Sequence, residues 1–263
     1  MDMIETGYSM LSIIPIPALK DNYIWTLHDR RHAVVVDPGD AAPVLAYLNA
    51  HQLKLAAILC THHHNDHTGG VRKLVQVYNV PVYGPQHEDI PCISHALGEG
   101  DVVELAGLNI RLDVLDIPGH TRGHIAFVGA GGVFCGDTLF GCGCGKIFEG
   151  TAAQLFHALH RLANLPDETR VYCGHEYTEA NIRFALACEP SNAKLKQRLA
   201  DAHALRAAGL PTLPSTIVLE KATNPFLRCT ELGIIATAQR MADINQTDEI
   251  SVFTALRSWK DRF

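Results

Sequence analysis

Between Thr61 and His67 the chain reads Thr-His-His-His-Asn-Asp-His, directly after the apolar run Leu55-Ala56-Ala57-Ile58-Leu59-Cys60. That run has the length of a buried strand, so the spacing predicts that His62, His64, Asp66 and His67 gather where the strand ends. Imidazoles and carboxylates at this density are ligands for Zn²⁺ and similar transition metals. Any fold open to the chain must therefore bring further ligands to this loop. The loop itself can give two ligands to one ion and two to a neighbour.

Three more candidates follow strand-like stretches, and each has a glycine before it. They are His120 in Pro118-Gly119-His120, Asp137 in Cys135-Gly136-Asp137 and His175 in Cys173-Gly174-His175. Glycine lets the backbone turn tightly and approach a site closely. His62, His64 and His120 then make one set, and Asp66, His67 and His175 a second. Asp137, with two oxygens, can bridge them. Each ion would have four protein ligands and room for a shared water or hydroxide, and two ions about 3.5–4 Å apart suit hydrolysis. Asp66 and Asp137 are thus the catalytic carboxylates, ligands first, with proton transfer a second role open to Asp66. His63 holds a spacer position and is predicted to point away. His124 is predicted to hydrogen-bond near the ligands rather than bind metal. Asp37, in Asp37-Pro38-Gly39-Asp40, either orients the metal loop or only makes a turn. An isolated His in a turn is ordinarily a surface or core residue. His28, His32, His51, His87, His95, His157, His160 and His203 are given no ligand role on that ground.

The 263 residues allow one large domain, or an ordinary domain with a smaller one. Short runs rich in β-branched residues recur up to about residue 176: Ser12–Ile16, Asn22–Leu27, Ala33–Val36, Val80–Tyr83, Val102–Leu105, Asn109–Asp116, Ile125–Gly129, Val133–Cys135 and Val171–Cys173. Helical periodicity interrupts them at Ala42–Ala50, at Val71–Tyr78 and at Ala152–Leu162. Beyond 176 the text is helical, with Thr178–Cys188, a helix capped by Ser191 and stopped at Gly209, and Glu249–Arg257. The division expected is 1–176, with 1–10 a loose extension, and 177–263.

Twenty-two basic against 28 acidic residues give a net charge of −6, and no long basic run is present, which argues against a nucleic-acid partner. The eight Cys form no C-x-x-C pair and read as buried thiols in a reducing cytosol. Asp2 and Glu5 put negative charge where a signal peptide needs positive, and Pro15 and Pro17 break the apolar stretch from Met10 to Leu19. No run approaches the roughly 20 apolar residues of a membrane span. A cytoplasmic protein without membrane contact is expected.

His62-x-His64-x-Asp66-His67, with His120, Asp137 and His175 downstream, resembles the signature of the metallo-β-lactamase superfamily. The resemblance implies a four-layer αββα sandwich with the metals at one edge. Gly143-Cys144-Gly145-Lys146-Ile147-Phe148-Glu149-Gly150-Thr151, Gly174-His175-Glu176-Tyr177-Thr178, Thr223-Asn224-Pro225-Phe226-Leu227-Arg228 and the ending Leu256–Phe263 are similar to the bacterial glyoxalase II, or hydroxyacylglutathione hydrolase, family. That second resemblance implies a C-terminal helical domain that binds substrate, and a reaction converting S-(2-hydroxyacyl)glutathione, S-D-lactoylglutathione above all, to glutathione and a 2-hydroxy acid. It further implies two divalent ions per chain, zinc first with iron or manganese open, and a monomer acting in methylglyoxal detoxification. Carried over by position, Lys146, Arg257 and Lys260 would hold the anionic tripeptide and Tyr177 would donate to it. Phe148 stands where some relatives have Tyr and offers apolar contact or a backbone group. Arg257 and Lys260, three apart, share one helix face; a solvated basic helix end would look the same. The alternatives are a lactonase or β-lactamase on the same scaffold, a one-iron persulfide dioxygenase-like enzyme, and a non-hydrolytic electron-transfer module.

Overall fold

The structure, a computed structural model, describes residues 11–242 and 244–263. The expected loose extension at 1–10 lies outside the described residues. In chain order the elements are β1 (Ser12–Ala18), β2 (Asn22–His28), β3 (His32–Val36), α1 (Ala41–Ala50), β4 (Lys54–Leu59), α2 (Asn65–Thr68), α3 (Val71–Tyr78), β5 (Val82–Pro85), β6 (His95–Leu97), β7 (Val102–Leu105), β8 (Ile110–Asp116), β9 (Ile125–Gly129), β10 (Gly132–Gly136), β11 (Leu139–Phe140), β12 (Gly143–Cys144), α4 (Ala152–Ala163) and β13 (Arg170–Cys173). The tail carries α5 (Thr178–Cys188), α6 (Ala193–Ala207), β14 (Ser215–Thr216), α7 (Ile217–Thr223), α8 (Leu232–Ala242) and α9 (Glu249–Lys260).

Two six-stranded sheets run β1-β2-β3-β4-β5-β6 and β14-β13-β10-β9-β8-β7, and β11 with β12 forms a separate hairpin. The side-chain period of two explains the layers. In β2, Trp25 and Leu27 face a core shared with Phe127, Phe134 and Tyr172 of the second sheet, whereas Ile24 faces the opposite way. In β3, Val34 and Val36 join the inter-sheet core, while Ala33 and Val35 pack with Val44 and Leu48 of α1 and Leu74 of α3. Strands buried on both faces read as unbroken apolar text, which is why Ala33–Val36 and Leu55–Leu59 show no alternation. The outcome is the αββα sandwich, with α1 and α3 outside the first sheet and α4 packed with the tail helices against the second.

Several elements depart from expectation. The strand expected at Val80–Tyr83 begins at Val82, because Pro81 has no N–H for the ladder; its carbonyl accepts from Ile58 instead. The cap of α6 is Asn192, not Ser191: the Asn192 side chain accepts from the Leu195 N–H at 3.1 Å. The final helix runs on to Lys260. The tail also gives a strand back to the second sheet, since Ser215 and Thr216 pair with Val171 and Arg170. Tail residues Phe226, Val252, Phe253 and Leu256 belong to the same buried cluster as Leu155 and Val171.

Candidate metal centre

Each candidate ligand lies just past the C-terminal end of a strand. His62 and His64 follow β4, and the chain then makes the single turn α2, in which the His67 and Thr68 amides both donate to the His64 carbonyl. That turn swings Asp66 and His67 back towards the sheet edge. His120 follows β8, Asp137 follows β10 and His175 follows β13. Two glycines fulfil the expected role. Gly136 has φ +46°, and a Cβ there would strike the Thr61 hydroxyl and the His124 ring. A Cβ on Gly174 would lie 2.6 Å from the His67 ring and 2.7 Å from an Asp137 oxygen.

The donor atoms converge as two sets: His62, His64 and His120 in one, Asp66, His67 and His175 in the other. His120 Nε2 lies 3.0 Å from His64 Nδ1, and His67 Nε2 lies 3.3 Å from His175 Nε2. Asp137 stands between the sets, with Oδ1 3.3 Å from His67 Nε2 and Oδ2 3.3 Å from His175 Nε2 and 3.5 Å from His120 Nε2. Asp66 Oδ2 is 3.4 Å from His175 Nε2. His62, His67, His120 and His175 form a buried floor, and the half-buried His64 and Asp66 form the rim.

The outer nitrogens of the floor imidazoles are occupied, which fixes which nitrogen faces inward. His175 Nδ1 donates to Asp21 at 2.8 Å, His120 Nδ1 to the Lys146 carbonyl at 2.7 Å, His67 Nδ1 to Asp37 at 3.1 Å and His62 Nδ1 to the Thr61 hydroxyl at 3.0 Å. His62 and His120, held neutral, therefore present an Nε2 lone pair to the centre, and His67 and His175 aim Nε2 at it as well. Lone pairs facing one another at about 3 Å repel unless a cation or proton stands between them. His62 Nε2 and Asp137 Oδ1 are buried with no hydrogen-bond partner. Inward lone pairs, orphaned buried donors and a central carboxylate fit a divalent metal ion.

The electrostatics agree. Burial holds His62 and His120 neutral, well below and below the usual histidine range respectively. For His175 burial works the same way, but Asp137 and Asp66 outweigh it and raise the imidazolium to about 10. Burial likewise lowers His67, and Asp137 and Asp37 reverse the sign. Asp66, bonded to His175 and Asn22, is held below the usual carboxylate range. The centre therefore favours positive charge.

Residues around the ligands complete the frame. Asp37, at φ +53°, accepts from the Thr61 N–H and hydroxyl, both at 2.7 Å, as well as from His67. It orients the metal loop as well as turning the chain. His124 donates from Nδ1 to the Ile125 carbonyl and accepts the Asp137 N–H at Nε2, 3.2 Å away; it positions the bridging carboxylate and is not among the converging donors. His63 points to Glu88 and Glu149, away from the floor. Sequence reasoning missed Asp21, Asn22 and Glu88. Asn22 donates to Asp66 Oδ2 at 3.1 Å, and Glu88 accepts from the His63 and Gly123 amides, tying the metal loop to the 119–124 turn. Their only signal was a polar side chain, in a turn for Asp21, in a bend for Glu88 and at the start of β2 for Asn22.

Of the expected substrate residues, Phe148, Lys146 and Tyr177 stand beside the ligand histidines, and Lys260 and Arg257 pack on α5 and on the loop at 144–145. The exposed Phe148 ring stands edge-on to His64 and His120, with centroids 5.4 and 5.3 Å apart, and Lys146 Nζ lies 5.3 Å above it. Tyr177 stacks on His175 at 4.7 Å. Lys260 Nζ donates to the Asn181 side-chain oxygen and lies 5.4 Å from the Phe184 ring. Arg257 is buried, and its Nη1 donates to the Cys144 and Gly145 carbonyls at 3.1 and 3.3 Å while Nη2 pairs with Asp261 at 2.8 Å. Only its Nε remains without a partner.

Comparison with known proteins places this geometry. Residues 21–175 match the metallo-beta-lactamase superfamily, and residues 176–263 match the hydroxyacylglutathione hydrolase C-terminus. The hydroxyacylglutathione hydrolase of Nitrosomonas europaea is 53% identical over 254 residues, 97% of each chain. That of Methylobacillus flagellatus is 54% identical over 254 residues, 97% of this chain and 100% of the relative. Among solved structures, ETHE1 from Myxococcus xanthus superposes with a TM-score of 0.65 at 25% identity, covering 95% of this chain and 99% of that one. A protein solved in a di-iron-bound form superposes at 0.58 with 28% identity, over 81% of this chain and 100% of that one. With near full-length identity above one half and both parts of the chain matched, the protein belongs to the hydroxyacylglutathione hydrolase family of the metallo-β-lactamase superfamily.

Proposed function

We propose that the protein hydrolyses S-(2-hydroxyacyl)glutathione thioesters, S-D-lactoylglutathione in particular, to glutathione and a 2-hydroxy acid. The observation that carries the reading is Asp137, whose two oxygens reach the donors of both ligand sets at the same rim that bears Lys146, Phe148 and Tyr177. His62, His64 and His120 would hold one divalent ion, Asp66, His67 and His175 a second, with Asp137 shared; zinc suits the His-rich set, and iron or manganese is compatible. When bound, such ions polarise a carbonyl oxygen and bring water ionisation to a pKa of roughly 7.

The remaining work falls to the chain's own residues. Glutathione is anionic at neutral pH, and in a chain of net charge −6 it needs local cations. Lys146 and Lys260 supply them, and the buried Arg257, with its Nη atoms committed, acts through the loop it holds. Phe148 offers an apolar ring to the acyl or thioester segment beside His64 and His120. Asp66 is held ionised by His175 and Asn22, which suits a ligand better than a proton carrier. The leaving thiol has a pKa of about 8.5 and departs without a general acid. A lactonase reading gains nothing from the basic residues on α9.

One chain carries both ligand sets and the substrate rim, so a monomer suffices. A reducing, cytoplasmic setting suits eight free thiols, seven of them buried. No described helix is long and apolar enough to cross a membrane. The direct test is thiol release from S-D-lactoylglutathione by metal-loaded protein, compared with ring opening of a lactone of similar size. Turnover of the lactone alone would overturn the reading.

A further inference from the structure

The hairpin formed by β11 and β12 has little sequence character, yet its main chain is gripped throughout by tail side chains. Asn224 Nδ2 donates to the Phe140 and Gly143 carbonyls at 3.3 and 2.9 Å. Asn181 Nδ2 donates to the Gly141 carbonyl at 3.0 Å. Glu220 accepts the Cys142 N–H at 2.9 Å, and Cys142 sits at φ +54° in the turn, a conformation that a non-glycine residue seldom adopts unaided. Arg257 takes the next two carbonyls, those of Cys144 and Gly145. Glu220 and Asn224 are fully buried, and Glu220 is paired with the buried Arg198, which also donates to Ser215 and Thr223. Downstream of this hairpin, the Lys146 carbonyl accepts from His120 Nδ1, and the Phe148 N–H donates to the His120 carbonyl.

We propose that Asn224 and Glu220 are positioning residues for the glutathione-binding surface: through the backbone of residues 140–145 they set the place of Lys146 and Phe148 at the rim. The argument is one of continuity. A hairpin two residues long on each strand has too few ladder bonds to hold itself, and buried carbonyls must find donors elsewhere. For residues 140–145 the side chains that hold the backbone carbonyls come from the tail, while the Cys135 thiol of the sandwich donates to the Leu139 carbonyl at 3.3 Å. Asn181 links the same grip to substrate directly, since one end of its amide holds Gly141 and the other accepts from Lys260. The tail thus holds the backbone of the sandwich's own substrate loop. The proposal rests on the glutathione thioester reading given above.

The test is Asn224→Ser, which keeps a side-chain oxygen for the Phe226 N–H but loses the amide donations to the Phe140 and Gly143 carbonyls and to Glu220. The metal-loaded full chain is read by hydrogen–deuterium exchange, by calorimetric binding of glutathione, and by KM for S-D-lactoylglutathione against a small uncharged thioester. Exchange should quicken at 140–148 and stay unchanged in β9 and β10. Kd for glutathione and KM for its thioester should rise about tenfold, as expected for losing one to two buried hydrogen bonds, with KM for the small thioester within about twofold. Equal rises for both thioesters, or a quickened hairpin with glutathione affinity unchanged, would overturn the proposal. Should Asn224→Ser not fold, Ser215→Ala, which removes one hydroxyl shared by Glu220 and Arg198, is expected to give the same pattern at about threefold, and no change in it would be equally contrary. Wild-type protein that fails to bind glutathione would instead strike at the functional reading itself, before any variant is compared.

Discussion

His67 Nε2 and His175 Nε2 face each other at 3.3 Å, each with its outer nitrogen already committed, to Asp37 and to Asp21 respectively. Two imidazoles from segments 108 residues apart are thereby turned Nε2 to Nε2 beside a buried carboxylate. Such an arrangement needs a proton or a metal cation between the rings and is well suited to either.

Asp37 holds the first of these rings, so its removal should loosen the centre without touching a ligand. Asp37→Asn keeps a residue tolerant of positive φ but loses the acceptor for one of the Thr61 or His67 donors. Metal affinity should fall by about 10–100-fold, with turnover recovered in excess metal. A chelator competition titration reads this directly; unchanged affinity would show that Asp37 only makes a turn.

Lys260 gives the account a pH dependence. Burial lowers its ammonium to about 8. Below that pH the side chain is charged and attracts an anionic tripeptide; above it the charge is lost, so KM for the glutathione thioester should rise as pH increases through about 8. Lys260→Ala should begin with the higher KM and lose that step. A step of the same size in the variant would assign it to the substrate's own ionisation.

Arg257 and Lys260 should differ in kind. Lys260→Ala is expected to raise KM for the glutathione thioester by about tenfold, as for the loss of one charged contact, with little change in folding stability. Arg257→Ala should raise KM and also lower the unfolding midpoint, because the Cys144 and Gly145 carbonyls lose their buried donor. Steady-state kinetics with a small neutral thioester as the reference, together with a urea titration, separates the two.

Arg198 tests the buried pair behind the hairpin. Arg198→Met leaves the fully buried Glu220 carboxylate without its cation. The expected loss is about 3–5 kcal/mol of unfolding free energy, measured by denaturant titration. A loss below about 1 kcal/mol would place the pair with exposed ones.

The converging side chains were legible because four of them fall within six residues and the other three follow strand text and a glycine. Chemistry and spacing sufficed there. The strands were legible because those buried on both faces read as unbroken apolar text, whereas their stacking in four layers came from the family resemblance. What stayed hidden is relational. Asp21 meets His175 across 154 residues, and nothing around Lys20-Asp21-Asn22 marks it for that role. β14 is two residues long and exists only because β13 offers an edge. The hold on residues 140–145 was invisible because carbonyl and amide groups are common to every residue, so a loop bound by its backbone leaves no pattern of its own. Arg257 was assigned to substrate by the family resemblance, and its commitment to those carbonyls depends on packing.

The central claim is that seven side chains hold two divalent ions with Asp137 shared between them. Elemental analysis of wild-type and Asp137→Ala protein, each loaded with zinc and then dialysed, tests it most directly. The account predicts about two ions per chain in the wild type, by the two-ion geometry of such sites, and a clear loss in the variant. A wild type holding no more than one ion, or a variant that keeps the full wild-type complement, would contradict it.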